Sequence, residues 1–418
     1  MLDSSPKKND GGRQLVLSMY IYWLILVVWQ NVGDYIGSSS FALITKLLLI
    51  LYLTFNFMNG TVRVRVGSFL LWMGFALYTA ILFLRTENAL SSSTLIYYCF
   101  PVLFSFLTLV CRTDAPINYK NYLLFLKLII ATVAYMALYS VLFKTAYFTR
   151  FFALRISYGH ELTSFFISNH EYGMYLVFAI TATMICYQNT SKRSSHALYL
   201  ALLVLFAVNL AATLSRTSYL ACIVIVAVFV ALSKNSSIKR GFLIVSIAII
   251  VFICAVPAIR NFAYTILLKE NNDAGRFDMW GAAIEKFREA SLAEQLFGHG
   301  SSNISAYVKS TFDHDSIHNA FLQVLLVWGI TGLCFFIGII VGSIRSALRI
   351  LRRDRNTAVI FLALSLSTVA FSMVNTACIM QSPIDSYMLT VFTIIVPRYV
   401  ANSIEFQAPE IMNSEGRI

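Results

Sequence analysis

Apolar runs long enough to cross a lipid bilayer recur from one end of this chain to the other, and that recurrence excludes most folds. The runs are Leu15–Val32, Phe41–Phe57, Phe69–Leu84, Leu95–Val110, Tyr122–Phe143 and Tyr172–Tyr187. They continue as Leu198–Ala212, Tyr219–Leu232, Phe242–Ile259, Ile330–Ile344, Ala358–Met380 and Tyr387–Val400. Charged residues make up 12% of the 418, where a soluble domain carries roughly 25%. So little charge cannot cover a soluble surface of this size, whereas a bilayer accepts it. The expected fold class is therefore an all-α polytopic membrane protein of about twelve transmembrane helices. The first run follows the polar stretch Met1 to Gln14, outlasts a signal-peptide core and shows no small-residue cleavage site, so it reads as an uncleaved span. All seven cysteines lie in or beside apolar runs, so neither a disulfide framework nor a Cys-ligated metal is expected.

Orientation follows from the short loops. Arg63 and Arg65, Arg112 and Lys120, Lys192 and Arg193, and Lys234, Lys239 and Arg240 fall in every second loop. The densest cluster, Arg345, Arg349, Arg352, Arg353 and Arg355, keeps the same phase. Basic loops stay on the cytoplasmic side, so both termini are expected there. The net charge of +12 is then mostly topology, and no nucleic-acid partner is expected. This gives a tail over residues 1–14, nine spans over 15–259, an outer loop over 260–329, three spans over 330–402 and a tail over 403–418.

Two outer loops are long: Lys144 to Glu171, and Arg260 to about His318. In the second, Phe277, Trp280, Ile284 and Phe287 recur at helical spacing, with Asp278, Glu285, Lys286 and Arg288 on other faces. This predicts an interfacial helix over Arg276 to Ala290, its aromatic stripe in lipid or against the spans. The run Ala320–Trp328 is short and breaks at Gly329-Ile330-Thr331-Gly332, which predicts a half-helix ahead of the next span.

Three outer-face residues are the candidates for chemistry. Arg216 stands in the short outer turn Thr213 to Ser218, where the positive-inside rule disfavours arginine. A snorkelling side chain accounts for it as well as a bidentate phosphate clamp does. Arg276 opens the interfacial helix and offers a second such clamp, or an ordinary solvated charge. His318 lies where a polar loop meets the half-helix, placed to take a proton, with Asp313 or Asp315 to orient it. His299 and His314 match no familiar metal-ligand spacing.

These residues together resemble a known family. An Arg in an outer turn, Gly275-Arg276 before an amphipathic helix, Phe297-Gly298-His299-Gly300, then His318-Asn319 resembles the bacterial O-antigen polymerase and O-antigen ligase superfamily. The tail of the pattern is His318-Asn319-Ala320-Phe321-Leu322 followed, after five residues, by Trp328-Gly329-Ile330-Thr331-Gly332-Leu333. The resemblance implies a GT-C-like membrane glycosyltransferase of the bacterial inner membrane, working without cofactor or metal at the periplasmic face. Its partners would be undecaprenyl-diphosphate-linked oligosaccharides, membrane lipid and a chain-length regulator. Arg216 and Arg276 would then hold the diphosphate and His318 would be the base, with Asn319, Asp315 and His314 in support. Ser316 stands where the ligases often carry a second histidine, which favours a polymerase.

A transporter or lipid-linked-sugar flippase is the competing class. The apolar runs hold almost no acidic residues, which coupled transporters use near the midplane, and this weighs against it.

Overall fold

The computed structural model describes residues 17, 20, 21, 23, 24, 62–64, 66–85, 98, 99, 102, 103, 106, 111–113, 119–154, 161–166, 168–232, 255, 257, 260, 261, 264, 276–300, 304–312, 317–351, 354–376 and 393. Phe41–Phe57 and both tails lie outside them, and Leu15–Val32, Leu95–Val110, Phe242–Ile259 and Tyr387–Val400 largely do.

The described chain is built from helices. In order they are α1 (Val66–Arg85), α2 (Tyr119–Phe143), α3 (Thr145–Phe152), α4 (Asn169–Gln188), α5 (Arg193–Ala212) and α6 (Arg216–Leu232). Then follow α7 (Arg276–Glu289), α8 (Leu292–Phe297), α9 (Ile304–Phe312), α10 (Ala320–Ile350) and α11 (Arg355–Val374). Four stretches are long and apolar enough to cross a membrane: Asn121–Phe143, Arg193–Ala212, Ala320–Ile350 and Thr357–Val374. Phe69–Leu84 and Arg216–Leu232 are shorter apolar helices. Leu70, Leu77 and Leu84 of α1, Leu138 and Leu142 of α2, and Leu198 and Val204 of α5 face outward. Side chains this apolar on the outside of a helix bundle need lipid around them. The protein is a membrane protein.

α4 runs through the middle. Tyr172, Leu176, Ala179 and Thr183 on one face and Met174, Phe178 and Ile185 on others are all buried. Its hydroxyls are satisfied within the helix, Thr181 donating to the Val177 carbonyl and Thr183 to that of Ala179. Such back-bonding removes the cost of a polar group in an apolar interior.

One departure from the all-α expectation is a short antiparallel ladder, β1 (Val62–Val64) with β2 (Cys111–Thr113), which sets Arg63 opposite Arg112. Two loops expected on the inner side are thereby joined at one end of the bundle. Arg355 Nε donates to the Leu232 carbonyl at 3.0 Å, linking two further stretches expected there.

The predicted half-helix is present. Gly329, at φ 66° and ψ −171°, interrupts α10 and divides a short arm, on the side expected to be outer, from the long helix that follows. Asn319 caps that arm, its side chain accepting from the Leu322 amide at 3.1 Å. At the break, carbonyls that would have served the next turn are left over. They find other donors. His299 N donates to Leu326 O at 3.0 Å and Gly300 N to Val327 O at 3.1 Å. The Tyr78 hydroxyl of α1 donates to Trp328 O. The segment Phe297 to Gly300 therefore works as a cap for a broken helix.

The stripe on α7 is only part of its packing face. Met279 and Ala283 are its buried residues, in a small cluster with Val308, Ile317 and Leu326. Trp280 and Phe287 pack against that cluster, whereas Phe277 is 68% exposed and Ile284 39%. The four expected stripe residues share one face, with Trp280 and Phe287 on the edge toward the cluster and Phe277 and Ile284 on the exposed edge. The small side chains form the seam because α9 and the outer arm of α10 come closest there.

Candidate functional site

The site is assembled where several helices begin. Ser168 caps α4, its side chain accepting from the His170 amide at 3.2 Å. One turn of chain away in space lies the connection between α5 and α6. Thr213 closes α5, Leu214 takes a left-handed φ of 53°, and Arg216 is the first residue of α6. A branched residue in that region is uncommon and has to be held by its surroundings. Here the carbonyl of Ala212 accepts from the Tyr147 hydroxyl at 2.9 Å and from the Leu162 amide at 3.3 Å. Asn169 Nδ2 donates to the Thr213 carbonyl at 2.9 Å. The first long outer loop is so drawn onto the turn.

Hydroxyls surround the base of Arg216. His170 Nδ1 lies 2.9 Å from Ser215 Oγ and 3.2 Å from Thr217 Oγ1. Ser215 Oγ is in turn 2.8 Å from Ser218 Oγ and 3.1 Å from Thr217 Oγ1. A Cβ at Gly173 would stand 2.3 Å from Ser218 Oγ, so glycine allows α4 and α6 to meet this closely.

Arg276, half-buried, is the first residue of α7, and its Nη1 reaches the Val374 carbonyl at the end of α11 at 3.5 Å. His318 takes a φ of 52°, directly before the cap residue Asn319. The indole of Trp280 donates to the Ile317 carbonyl at 2.9 Å, tying the middle of α7 to the residue before His318.

His170 senses the charge of all three. Burial first, then the charges of Arg276, His318 and Arg216, push its ring down from 6.5 to about 4, and Glu161 opposes them. The three residues singled out by sequence thus all act electrostatically on a fourth, and they stand at or just before the amino ends of α6, α7 and α10 as His170 does at that of α4. Helix amino ends carry partial positive charge and unsatisfied N–H groups. With two guanidinium groups added, the arrangement is suited to a polyanion.

Sequence reasoning missed His170, Glu161 and the hydroxyls of Ser215, Thr217 and Ser218. The available signal was His170 itself, a polar residue at the end of a long outer loop immediately before a span. Of the expected supporting residues, Asn319 is a helix cap, while His314 and Asp315 lie outside the described residues. Arg150 and Arg260 are exposed, and Arg155 lies outside the described residues. His299 stacks on Tyr307, with centroids 4.4 Å apart, and its Nδ1 is 3.8 Å from Glu294.

The neutral His170 has a measurable consequence for stability. Its folded value lies below its unfolded one, so its contribution is complete above about pH 6.5 and is lost as pH falls toward 4. Thermal unfolding of the detergent-solubilised protein should lose about 2 kcal/mol between pH 7 and pH 5 from this group. His170→Asn should flatten that slope, and an equally steep slope in the variant would refute the assignment.

A helical membrane protein with a cationic site at converging helix ends is the class these features define. Residues 201–337, which contain Arg216, Arg276 and His318, match a family model described as O-antigen ligase, and that match supports the resemblance to the O-antigen polymerase and ligase superfamily. Members of that family are glycosyltransferase-like enzymes, and the family points to lipid-linked polysaccharide substrates. Comparison with curated proteins finds no match for this chain.

Proposed function

We propose that the protein is a polymerase that joins undecaprenyl-diphosphate-linked repeat units of O-antigen or a related surface polysaccharide at the periplasmic face of the inner membrane. Arg216, Arg276 and His318 stand at or just before the amino ends of α6, α7 and α10 and all act electrostatically on His170, and this placement supports the reading.

Arg216 and Arg276 bind the diphosphate of the donor and stabilise the charge that develops as it leaves. Two guanidinium groups supply the electrostatic help that a metal ion gives elsewhere. The imidazole of His318 takes the proton of an acceptor hydroxyl. That oxygen forms a bond to the anomeric carbon from the face opposite the diphosphate, so configuration inverts. The bond from the anomeric carbon to the phosphate oxygen breaks, and its electron pair departs with undecaprenyl diphosphate. Atoms and charge balance without a cofactor. Both termini are cytoplasmic in this reading, residues 260–329 form the periplasmic part of the site, and a chain-length regulator is a partner.

Ser316 favours the polymerase. The description of the matching family favours a second reading, a ligase that moves the glycan from its lipid carrier to lipid A-core. The surface-polysaccharide profile of a deletion strain separates them. A polymerase defect leaves core bearing a single repeat unit. Core alone, with long glycan retained on the carrier lipid, establishes the ligase. An unchanged amount of lipid-linked glycan with none of it reaching the outer face would mean a flippase and sink both.

A further inference from the structure

We propose that His170 is a positioning residue for Arg216, holding the hydroxyls on both sides of it so that the guanidinium is presented to the donor diphosphate. The inference rests on the assignment of Arg216 to the diphosphate. Ser215 and Thr217 flank Arg216 in sequence, and both hydroxyls lie within hydrogen-bond distance of one atom, Nδ1 of His170. The amide of Ser215 donates to Thr213 Oγ1 at 3.3 Å and that of Ser218 to Ser215 Oγ at 3.3 Å. The turn is thus tied internally, and His170 ties it to α4. Because α4 is buried on nearly all faces, it is a rigid base for such a tie.

The imidazole suits this task because it stays uncharged. The charges of Arg276, His318 and Arg216 act on it, opposed by that of Glu161. A second permanent cation there would compete with Arg216 for the anion and repel it in the empty site. With a hydroxyl donating to Nδ1, the ring proton sits on Nε2, and the ring keeps a single orientation. Leu214 adds a reason for the support, since its left-handed backbone holds only while the surrounding turn does.

The test measures binding of undecaprenyl diphosphate to the full-length, detergent-purified protein, with thermal unfolding and gel filtration as checks on folding. Arg216→Ala is the reference arm and should lose most of the binding. His170→Ala should weaken binding about tenfold, the scale expected when a binding group is misplaced rather than removed. His170→Asn, whose amide can occupy the place of Nδ1, should restore binding to within about threefold of wild type. Added to the Ser215→Ala/Thr217→Val pair, His170→Ala should cost no further binding, because the contacts it would remove are already gone. In turnover, His170→Ala should raise KM more than it lowers kcat. Wild-type binding by His170→Ala, beside loss in Arg216→Ala, would overturn the positioning role and leave the diphosphate assignment standing. Equal losses in His170→Ala and His170→Asn would also overturn it, since the hydroxyl contacts would then not be what matters. Full binding by Arg216→Ala would overturn the diphosphate assignment and this inference with it.

Discussion

His318→Asn should abolish polysaccharide polymerisation while leaving the protein folded. A positioned general base contributes roughly 10² to 10⁴ in rate, so residual turnover should fall below about one per cent. Asparagine is the informative replacement because His318 has a φ of 52°. Asparagine adopts that conformation readily, whereas alanine there carries an added backbone cost of about 1 kcal/mol or more. Asparagine cannot take up a proton near neutral pH, so the change removes basicity and keeps the backbone. The complemented deletion strain should carry core plus one repeat unit, and binding of undecaprenyl diphosphate should survive. Turnover above a tenth of wild type would mean that His318 is not the base.

The second large effect is structural. Gly298→Ala should destabilise the protein by about 3 kcal/mol or more. Gly298 lies at φ 81° and ψ 172°, a region that side-chain-bearing residues almost never occupy. A Cβ built there would stand 2.2 Å from Val327 O and 2.4 Å from Val327 C, backbone atoms with little room to retreat. Moving the loop away would break the bonds from His299 and Gly300 to Leu326 and Val327 and leave buried carbonyls unmet. Gly281→Ala is the matched control. Gly281 is exposed in α7 with nothing within 4 Å of an added Cβ. That change should be neutral or stabilise by up to about 1 kcal/mol, since alanine favours helix over glycine. Thermal unfolding of the two purified variants decides the matter. Similar melting of both would show that the capped break does not hold the outer arm.

How much of this was legible depended on where each signal resides. The half-helix could be read because its end is written locally, in a short apolar run and Gly329-Ile330-Thr331-Gly332. Arg216, Arg276 and His318 stood out because charged and titratable groups beside apolar runs need a reason. The role of Phe297 to Gly300 was hidden, because the carbonyls it caps belong to residues met later in the chain. For α7, periodicity identified a helix but could not say which partner each face meets. Met279 and Ala283 won the seam over bulkier Phe277 because α9 and the outer arm of α10 approach that side. The place of His170 was visible, but its role was hidden for a similar reason: its contacts are 45 and 47 residues away and pass through hydroxyls that look unremarkable in sequence. The ladder between Val62–Val64 and Cys111–Thr113 is too short to leave any periodicity.

The break at Gly329 has a mechanical meaning. Interrupted helices in membranes often serve as joints, because the missing bonds let one half swing against the other. At this joint the leftover carbonyls are pinned from two directions, by the Gly298 loop and by Tyr78 of α1. Swinging the outer arm would cost those bonds together, in surroundings where water cannot replace them. The arm that follows His318 is thus held to α1 and to the Gly298 loop, and on the proposed function whatever motion admits a bulky lipid-linked glycan has to leave that hold intact.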